Sequence, residues 1–488
     1  MEATATQNTA LQSKNIRYYI NAFITIAIMF GFGYLPPIAP ITPLGMKILG
    51  IFLALLYGWT FVDQIWPSIL GMIALSLTGY APLDTLMKSG FGNNTVLLMW
   101  GMLLIASLVD SAGVSKFIAT YFISRKFVLG KPWILIFTFF FTIFLMSAMT
   151  SSVPTIVVGW GILYCILNQL GYKAGNPLSS YMVVGVVYSS LIGLALFPWK
   201  VLQMVVLGMF ANTAGYQLEY SLYIALTLPI SIAAITGYVL LGKFFFRLDV
   251  EKLKLVTQDS FDPKDLEINT NQKIIISMLV LLVILLIAPS IMPKTWAVTK
   301  ILRGIGAHGV TFLILGVFVF LRFNNKPMIN IRKSSSDVQW DCIFLTAAML
   351  PFTAALNAES TGINAFLVEK FSILFTGLSP NLFIFLVILI TITSTQFMNN
   401  AICGGILFSI VYPFAVAINV NPAMITVLMI FCLALAMLTP AGSPMSALMF
   451  GNSEWVSTKD IYTYVVPGVI VIFLCVCVVG IPVGFLVF

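Results

Sequence analysis

Charge is what this 488-residue sequence has least of. Asp, Glu, Lys and Arg make up 9% of it against 60% hydrophobic residues, and the mean hydropathy is +1.02. A water-soluble fold of this length has too few polar side chains in such a composition to cover its surface. Histidine is almost missing. The single His308 argues against a metal centre, and without an H-E-x-x-H motif, a Ser/His dyad or paired aspartates it leaves little chemistry for an intramembrane enzyme. CxxC pairs are lacking too: Cys165, Cys342, Cys403, Cys432, Cys475 and Cys477 stand in apolar surroundings and read as unpaired thiols facing lipid or core. Acidic residues are outnumbered, giving a net charge of +8, but the basic residues sit in short connections between apolar runs. There they report orientation across a membrane, not nucleic-acid binding.

What the sequence has in abundance is the long apolar run. Runs of about 18 or more residues recur along the whole chain, interleaved with Gly and Pro and without the alternation of a barrel strand. The composition therefore points to an all-α polytopic membrane protein. No small-residue cleavage site follows the first apolar run, which is expected to be a retained span. Lys14 and Arg17, together with Lys116, Arg125, Lys126, Lys131, Lys173, Arg322, Lys326, Arg332 and Lys333, place the N-terminus in the cytoplasm of a cell-membrane protein. Lys88, Lys300, Arg303 and Lys370 fall on the other side. The expected organisation is an N-terminal segment with the first span (1–45), a first repeat (46–248), a polar cytoplasmic linker (249–273) and a second repeat (274–488).

Trp133 to Gln169 carries no charge and is flanked by Lys131 and Lys173, which belong on one side, so the segment must enter and return. Near its middle stand Thr150, Ser151 and Ser152, followed by Pro154. A polar tip at membrane depth needs protein or a wet cavity around it, which favours a re-entrant hairpin over two full spans. An internal repeat supplies its counterpart. "LVDSAGVSKF" (108–117) aligns with "LNAESTGINAF" (356–366), pairing Asp110 with Glu359 and Gly113 with Gly362. The interval from Gly113 to Ser151 then equals that from Gly362 to Asn400, in a second polar cluster, Asn399-Asn400-Ala401.

A broken helix follows each tip: "ALFPWKV" with Pro198, and "MLTPAGSPMSALMFG" with Pro440 and Pro444. Paired interruptions of this kind in two halves point to a midplane transport site, and an odd number of crossings per repeat makes the repeats inverted. A broken helix exposes N–H groups that attract anions and C=O groups that attract cations. Hydroxyls and amides at the tips add directional bonds without buried charge. Thr150, Ser151, Ser152, Asn399, Asn400, Ala401, Gly442, Ser443 and Pro444 are therefore the candidate substrate contacts. Pro198, Lys200, Thr395 and Ala441 are the candidates for holding a coupling ion or its substitute. Blander readings apply elsewhere: Asp63 and Asp341 as helix caps or edge pairs, His308 as interfacial, and "FTFFFTIF" (137–144) as lipid or packing surface. Without the repeat, the Thr150–Ser152 cluster would read as back-bonding within a kinked helix.

Three segments together resemble the divalent anion/sodium symporter family of the ion transporter superfamily. "YGWTFVDQIWPSILGMIALSL" (57–77) is similar to its W-x-x-E-x-x-P segment, with Asp63 in the acidic place. "VQWDCIFLTAAMLPFTAALNAESTG" (338–362) is similar to its W-D-x-(apolar)-E-x-T-G segment. "LTPAGSPMSALMFG" (438–451) resembles its L-P-x-(A/G)-T-P-P-N-A-(apolar)-F-G loop. The resemblance implies a homodimer of about eleven spans plus two re-entrant hairpins, with a scaffold and a moving transport domain that work as an elevator. It also implies di- or tricarboxylate or similar small-anion substrates, and two sodium sites built from Ser-Asn-Thr tips and the adjacent unwound loops. This chain departs from that pattern. Its tips read Thr150-Ser151-Ser152 and Asn399-Asn400-Ala401, and its first unwound loop offers Phe197-Pro198-Trp199-Lys200.

Lys200 then has several readings. It is a tethered cation in place of the first sodium, shifting coupling toward anion exchange, or it snorkels to an interface, or it meets the substrate carboxylate, or it is a proton-linked lysine. The expected function is secondary transport of small organic anions. A sodium-coupled dicarboxylate or citrate symporter and a carrier of an inorganic divalent anion such as sulfate are the alternatives, with an anion channel behind them. No cofactor is expected, and no metal other than sodium as a coupling ion. The expected partners are the anion, the bilayer and a second copy of the chain.

Overall fold

The computed structural model describes residues 2–257, 267–323, 326–336, 338–366, 369–370, 379–440 and 442–488. A repeated local device decides where the apolar runs become helices: a short polar side chain followed by proline. Thr42, Asn176, Ser379 and Asn421 each accept a hydrogen bond from a first-turn N–H, ahead of Pro43, Pro177, Pro380 and Pro422. The cap satisfies a donor that the helix leaves free, and proline removes one that has no partner there.

The helices run α1 (Glu2–Gly31), α2 (Pro43–Phe61), α3 (Ile65–Leu77), α4 (Leu83–Gly90), α5 (Asn94–Ser111), α6 (Val114–Ile123), α7 (Pro132–Met149), α8 (Ser152–Gln169), α9 (Pro177–Leu196), α10 (Val201–Ala214) and α11 (Tyr220–Leu240) in the first half. In the second half come α12 (Thr270–Ile291), α13 (Ala297–Phe320), the one-turn α14 (Ile331–Ser334), α15 (Trp340–Asn357), α16 (Pro380–Ser394), α17 (Asn400–Ala417), α18 (Pro422–Leu433), α19 (Pro444–Gly451), α20 (Thr458–Cys475) and α21 (Ile481–Val487). Apart from one two-residue ladder, Arg322–Phe323 with Lys326–Pro327, the described residues form helices and connections. Twelve helical stretches are long and apolar enough to cross a membrane among the described residues, and α7, α8 and α17 are three of them.

Burial separates centre from perimeter. Of the most apolar stretch within Pro177–Ala214, 89% is buried, against 22% for Thr270–Ile291 and Thr458–Val487. Every residue from Ala423 to Met437 is buried as well. The two interrupted helices, α9–α10 and α18–α19, therefore form the core, and α1, α12 and α20 present apolar faces outward.

The two segments aligned as a repeat share a backbone feature. Gly113 and Gly362 both adopt the left-handed conformation, at φ 68° and 67°, that costs glycine least. Each donates its N–H to the acidic residue three before it, Asp110 or Glu359, at 3.2 Å. Gln272 ties the halves together. Its side chain completes a capping box with Asn269 at the start of α12 and also donates to the Ala112 carbonyl at 3.1 Å. Within the polar 249–273 segment, 258–266 lie outside the described residues, as do 371–378 of the apolar run that precedes α16.

Helix α3 begins at Ile65, where Asp63 Oδ1 accepts from the Ile65 and Trp66 N–H groups at 2.6 and 3.2 Å. Helix α13 bends at Gly306 (φ 65°).

Candidate functional site

The first tip is tight. Between α7 and α8 only Thr150 and Ser151 leave helical geometry, and Pro154 sits in the first turn of α8, where its missing N–H has no helical partner to lose. Buried hydroxyls hold the turn. Thr150 Oγ1 donates to the Met146 carbonyl at 2.8 Å and meets Thr155 Oγ1 at 3.0 Å. Ser147 Oγ lies 2.8 Å from Ser152 Oγ and donates to the Ser190 carbonyl of α9 at 2.7 Å. Ser151 is left half-exposed as the N-cap of α8 and makes no capping bond of its own.

The second tip is longer, running from Thr395 to Asn399. Asn399 caps α17, accepting from the Ala401 and Ile402 N–H groups at 3.0 and 3.4 Å. Asn400 accepts from Thr395 Oγ1 at 3.0 Å. The residues matched by the repeat thus both fall at the start of a returning helix, but the N-cap role belongs to Ser151 and Asn399, one residue away from the Ser151–Asn400 pairing.

At the first break, Pro198 has no N–H for the Leu194 carbonyl, and the next two residues turn away from Ala195 and Leu196. All three freed carbonyls have found side chains: Gln203 Nε2 reaches Leu194 at 2.7 Å, Tyr223 OH reaches Ala195 at 2.9 Å and Thr227 Oγ1 reaches Leu196 at 3.0 Å. At the second break the same substitution occurs. Leu433 accepts from Thr395 Oγ1 at 2.9 Å, Leu435 from Gln396 Nε2 at 3.1 Å and Ala436 from Ser443 Oγ at 2.7 Å. Ser446 Oγ serves Met437 and Thr439 at 3.2 and 2.7 Å. Each of these carbonyls thus already accepts a hydrogen bond from a side chain of the protein.

Lys200 and Gln396 join the two tips to their breaks. The Lys200 ammonium, half-buried after Trp199, donates to the Thr150 carbonyl at the C-terminal end of α7, where a cation is favoured. In the second half the link is Gln396, a residue the motif comparison passes over. Its Oε1 accepts from the Met437 and Leu438 N–H groups at 2.9 Å each, and its carbonyl accepts from Thr439 Oγ1. Gly442 packs beside Ala436 and the carbonyls of Thr395 and Gln396, Ser443 is buried and Pro444 is exposed; Ala441 lies outside the described residues.

The halves interlock reciprocally. α10 packs along α17, where a Cβ on Gly404 would meet Val206 at 2.8 Å, while α19 packs on α8 and α9. At the far end of α19, Asn452 Nδ2 donates to Tyr164 OH at 2.6 Å, and Tyr164 stacks on Trp455 at 4.2 Å. A separate cleft of about 510 Å³, lined by Asn212, Asn357, Asn364 and Tyr412, contains none of the tip residues and no basic side chain. His308 shares a small cavity with Pro198, Asn94 and Thr95.

Residues 48–401 match the family profile described as citrate transporter, CitMHS. The chain belongs to that family. Its members are membrane transporters, not enzymes, in accord with the resemblance carried by the three motifs. Among curated proteins the chain is similar to rat solute carrier family 13 member 1, with 30% identity over 131 residues, 27% of this chain and 21% of that protein. It is 24% identical to the uncharacterized transporter YfbS of Escherichia coli over 35% of this chain and 28% of YfbS. The sodium-dependent dicarboxylate transporter SdcS of Staphylococcus saprophyticus is 21% identical over 51% of this chain and 48% of SdcS. The matches thus span less than half of these relatives' lengths. In fold, the chain is similar to the crystal structure of the Alcanivorax borkumensis YdaH transporter, at TM-score 0.56 and 15% identity over 85% of this chain and 89% of that one.

Proposed function

We propose that this citrate-family transporter is a secondary active carrier of small di- or tricarboxylates in the cell membrane, with its N-terminus cytoplasmic. It works as a homodimer, by an elevator movement of the two hairpins and broken helices. The substrate carboxylates are taken by Ser151, Ser152 and the start of α8 on one side and by Asn400, Ala401, Gly442 and Ser443 on the other. These are uncharged polar groups gathered near the starts of α8, α17 and α19, an arrangement that favours an anion at membrane depth.

The observation that carries the reading is Lys200 on the Thr150 carbonyl. A tethered cation there, with the freed carbonyls of both breaks already bonded to side chains, supports anion exchange over sodium symport. Counterflow in proteoliposomes tests it: labelled succinate, malate, 2-oxoglutarate or citrate enters vesicles preloaded with unlabelled anion, with and without sodium. The expected result is saturable entry that needs internal anion and not sodium. Entry driven by a sodium gradient into unloaded vesicles would instead support the symport named for SdcS, transport of sulfate alone would assign an inorganic substrate, and non-saturating flux would indicate a channel.

A further inference from the structure

No acidic residue occurs between Ser111 and Leu218, the longest such interval in the chain, and Lys116, Arg125, Lys126 and Lys131 gather near its start, on α6 and the connection to α7. At 10 residues α6 is about half the length a crossing needs, yet it stands between α5 and α7, which are long enough. It packs on α7 and α8 of the first hairpin, while Tyr121 and Phe122 are exposed, as is Phe127 just beyond the helix. The connection is pinned by its own residues. Ile123 and Val128 are buried, the Val128 and Leu129 N–H groups donate to the Arg125 carbonyl at 2.9 and 3.4 Å, and Gly130 makes a left-handed turn (φ 74°) into Lys131, the N-cap of α7. Arg125 is held too: its Nε donates to the Tyr121 carbonyl at 3.1 Å and its guanidinium lies 3.4 Å over the Tyr121 ring. Lys126 and Lys131 are exposed, and among the described residues no carboxylate pairs with either of them or with Arg125.

We propose that α6 and the connection after it form a docking surface for an anionic phospholipid, with Arg125 and Lys126 on the headgroup phosphate and Tyr121, Phe122 and Phe127 among the upper acyl carbons. A short helix with exposed aromatic rings and a basic end lies in the plane of the membrane interface instead of crossing it. Four basic residues beside spanning helices, with no acid among them, carry the charge that distinguishes an anionic headgroup from a zwitterionic one. With its Nε already bonded to backbone, the guanidinium keeps its Nη groups for two phosphate oxygens. A soluble anion would use the charge but not the rings, so the exposed aromatic residues favour a lipid as the source of the phosphate. Because the connection runs into the N-cap of α7, a lipid held there seats the first hairpin in the headgroup layer. The proposal does not depend on which anion is carried or on how its transport is coupled.

The test follows Tm of the purified full-length protein in a neutral detergent during titration with phosphatidylglycerol, with phosphatidylcholine of the same acyl chains, and with inorganic phosphate. The expected result is a saturable rise with phosphatidylglycerol alone, reduced at high salt. Lys126→Gln is expected to need about fivefold more phosphatidylglycerol for the half-maximal rise, and the double variant Arg125→Gln/Lys126→Gln about thirtyfold more, the scale of one and two basic residues at an anionic surface. If the double variant is unstable without its Arg125–Tyr121 contacts, Lys126→Gln decides the matter alone, since it changes an exposed side chain. No rise with phosphatidylglycerol, an equal rise with phosphatidylcholine or with inorganic phosphate, or an unchanged phosphatidylglycerol titration in the variants overturns the proposal. A variant that runs as a smaller species on size exclusion would assign the face to a second copy of the chain and overturn it as well.

Discussion

Lys200 is the residue on which the coupling argument turns. Its ammonium joins the first break to the C-terminal end of α7 through the Thr150 carbonyl. Replacing it by alanine leaves that carbonyl without its cation. Lys200→Ala is expected to lower counterflow at least about tenfold, the scale of losing a partly buried charged contact, and to change its ion dependence. Unchanged exchange with unchanged ion dependence would reject the tethered-cation role. Gln396 makes the corresponding knot in the second half. Gln396→Leu preserves volume but strands the Met437 and Leu438 N–H groups, at about 1–3 kcal/mol for each buried orphan, so a clear drop in Tm in detergent is expected. The chain announces both residues as polar interruptions of apolar runs. What it does not announce is direction: Asp110 and Glu359 are matched in the repeat, and only packing sends one inward and the other to the surface.

At the scale of elements, the breaks are held open by side chains as much as by proline. Gln203, Tyr223 and Thr227 replace three lost backbone bonds at the first break, and restoring one N–H at Pro198 does not remove them. Pro198→Ala is therefore expected to leave Tm nearly unchanged, whereas Gln203→Leu lowers it by exposing the Leu194 carbonyl to a buried, unpaired state. The reverse order would show that proline alone maintains the break. Packing against the hairpin depends on Gly193, where a Cβ would lie 2.3 Å from the Phe144 carbonyl of α7. Backbone cannot yield at that distance, so Gly193→Ala is expected to give little stable protein on size exclusion. The interruptions were legible because proline and hydroxyl clusters stand out in apolar surroundings. The donors that satisfy the freed carbonyls were not, since Tyr223 and Thr227 come from another helix, α11, and no local pattern links them to α9.

At the scale of the molecule, the two halves do not merely lie side by side. α10 packs on α17 and α19 packs on α8, so each broken helix reaches the hairpin of the other half. The duplicated polar tips and breaks were readable as a pair, whereas this exchange of partners requires the fold. It also makes the site a joint property: anion binding should draw on both tips at once. The direct measurement uses a cysteine-free background carrying Ser151→Cys or Asn400→Cys, each labelled with a water-soluble maleimide with and without saturating transported anion. The account predicts that the anion slows labelling at both positions. Protection at one tip only, or at neither, would contradict it.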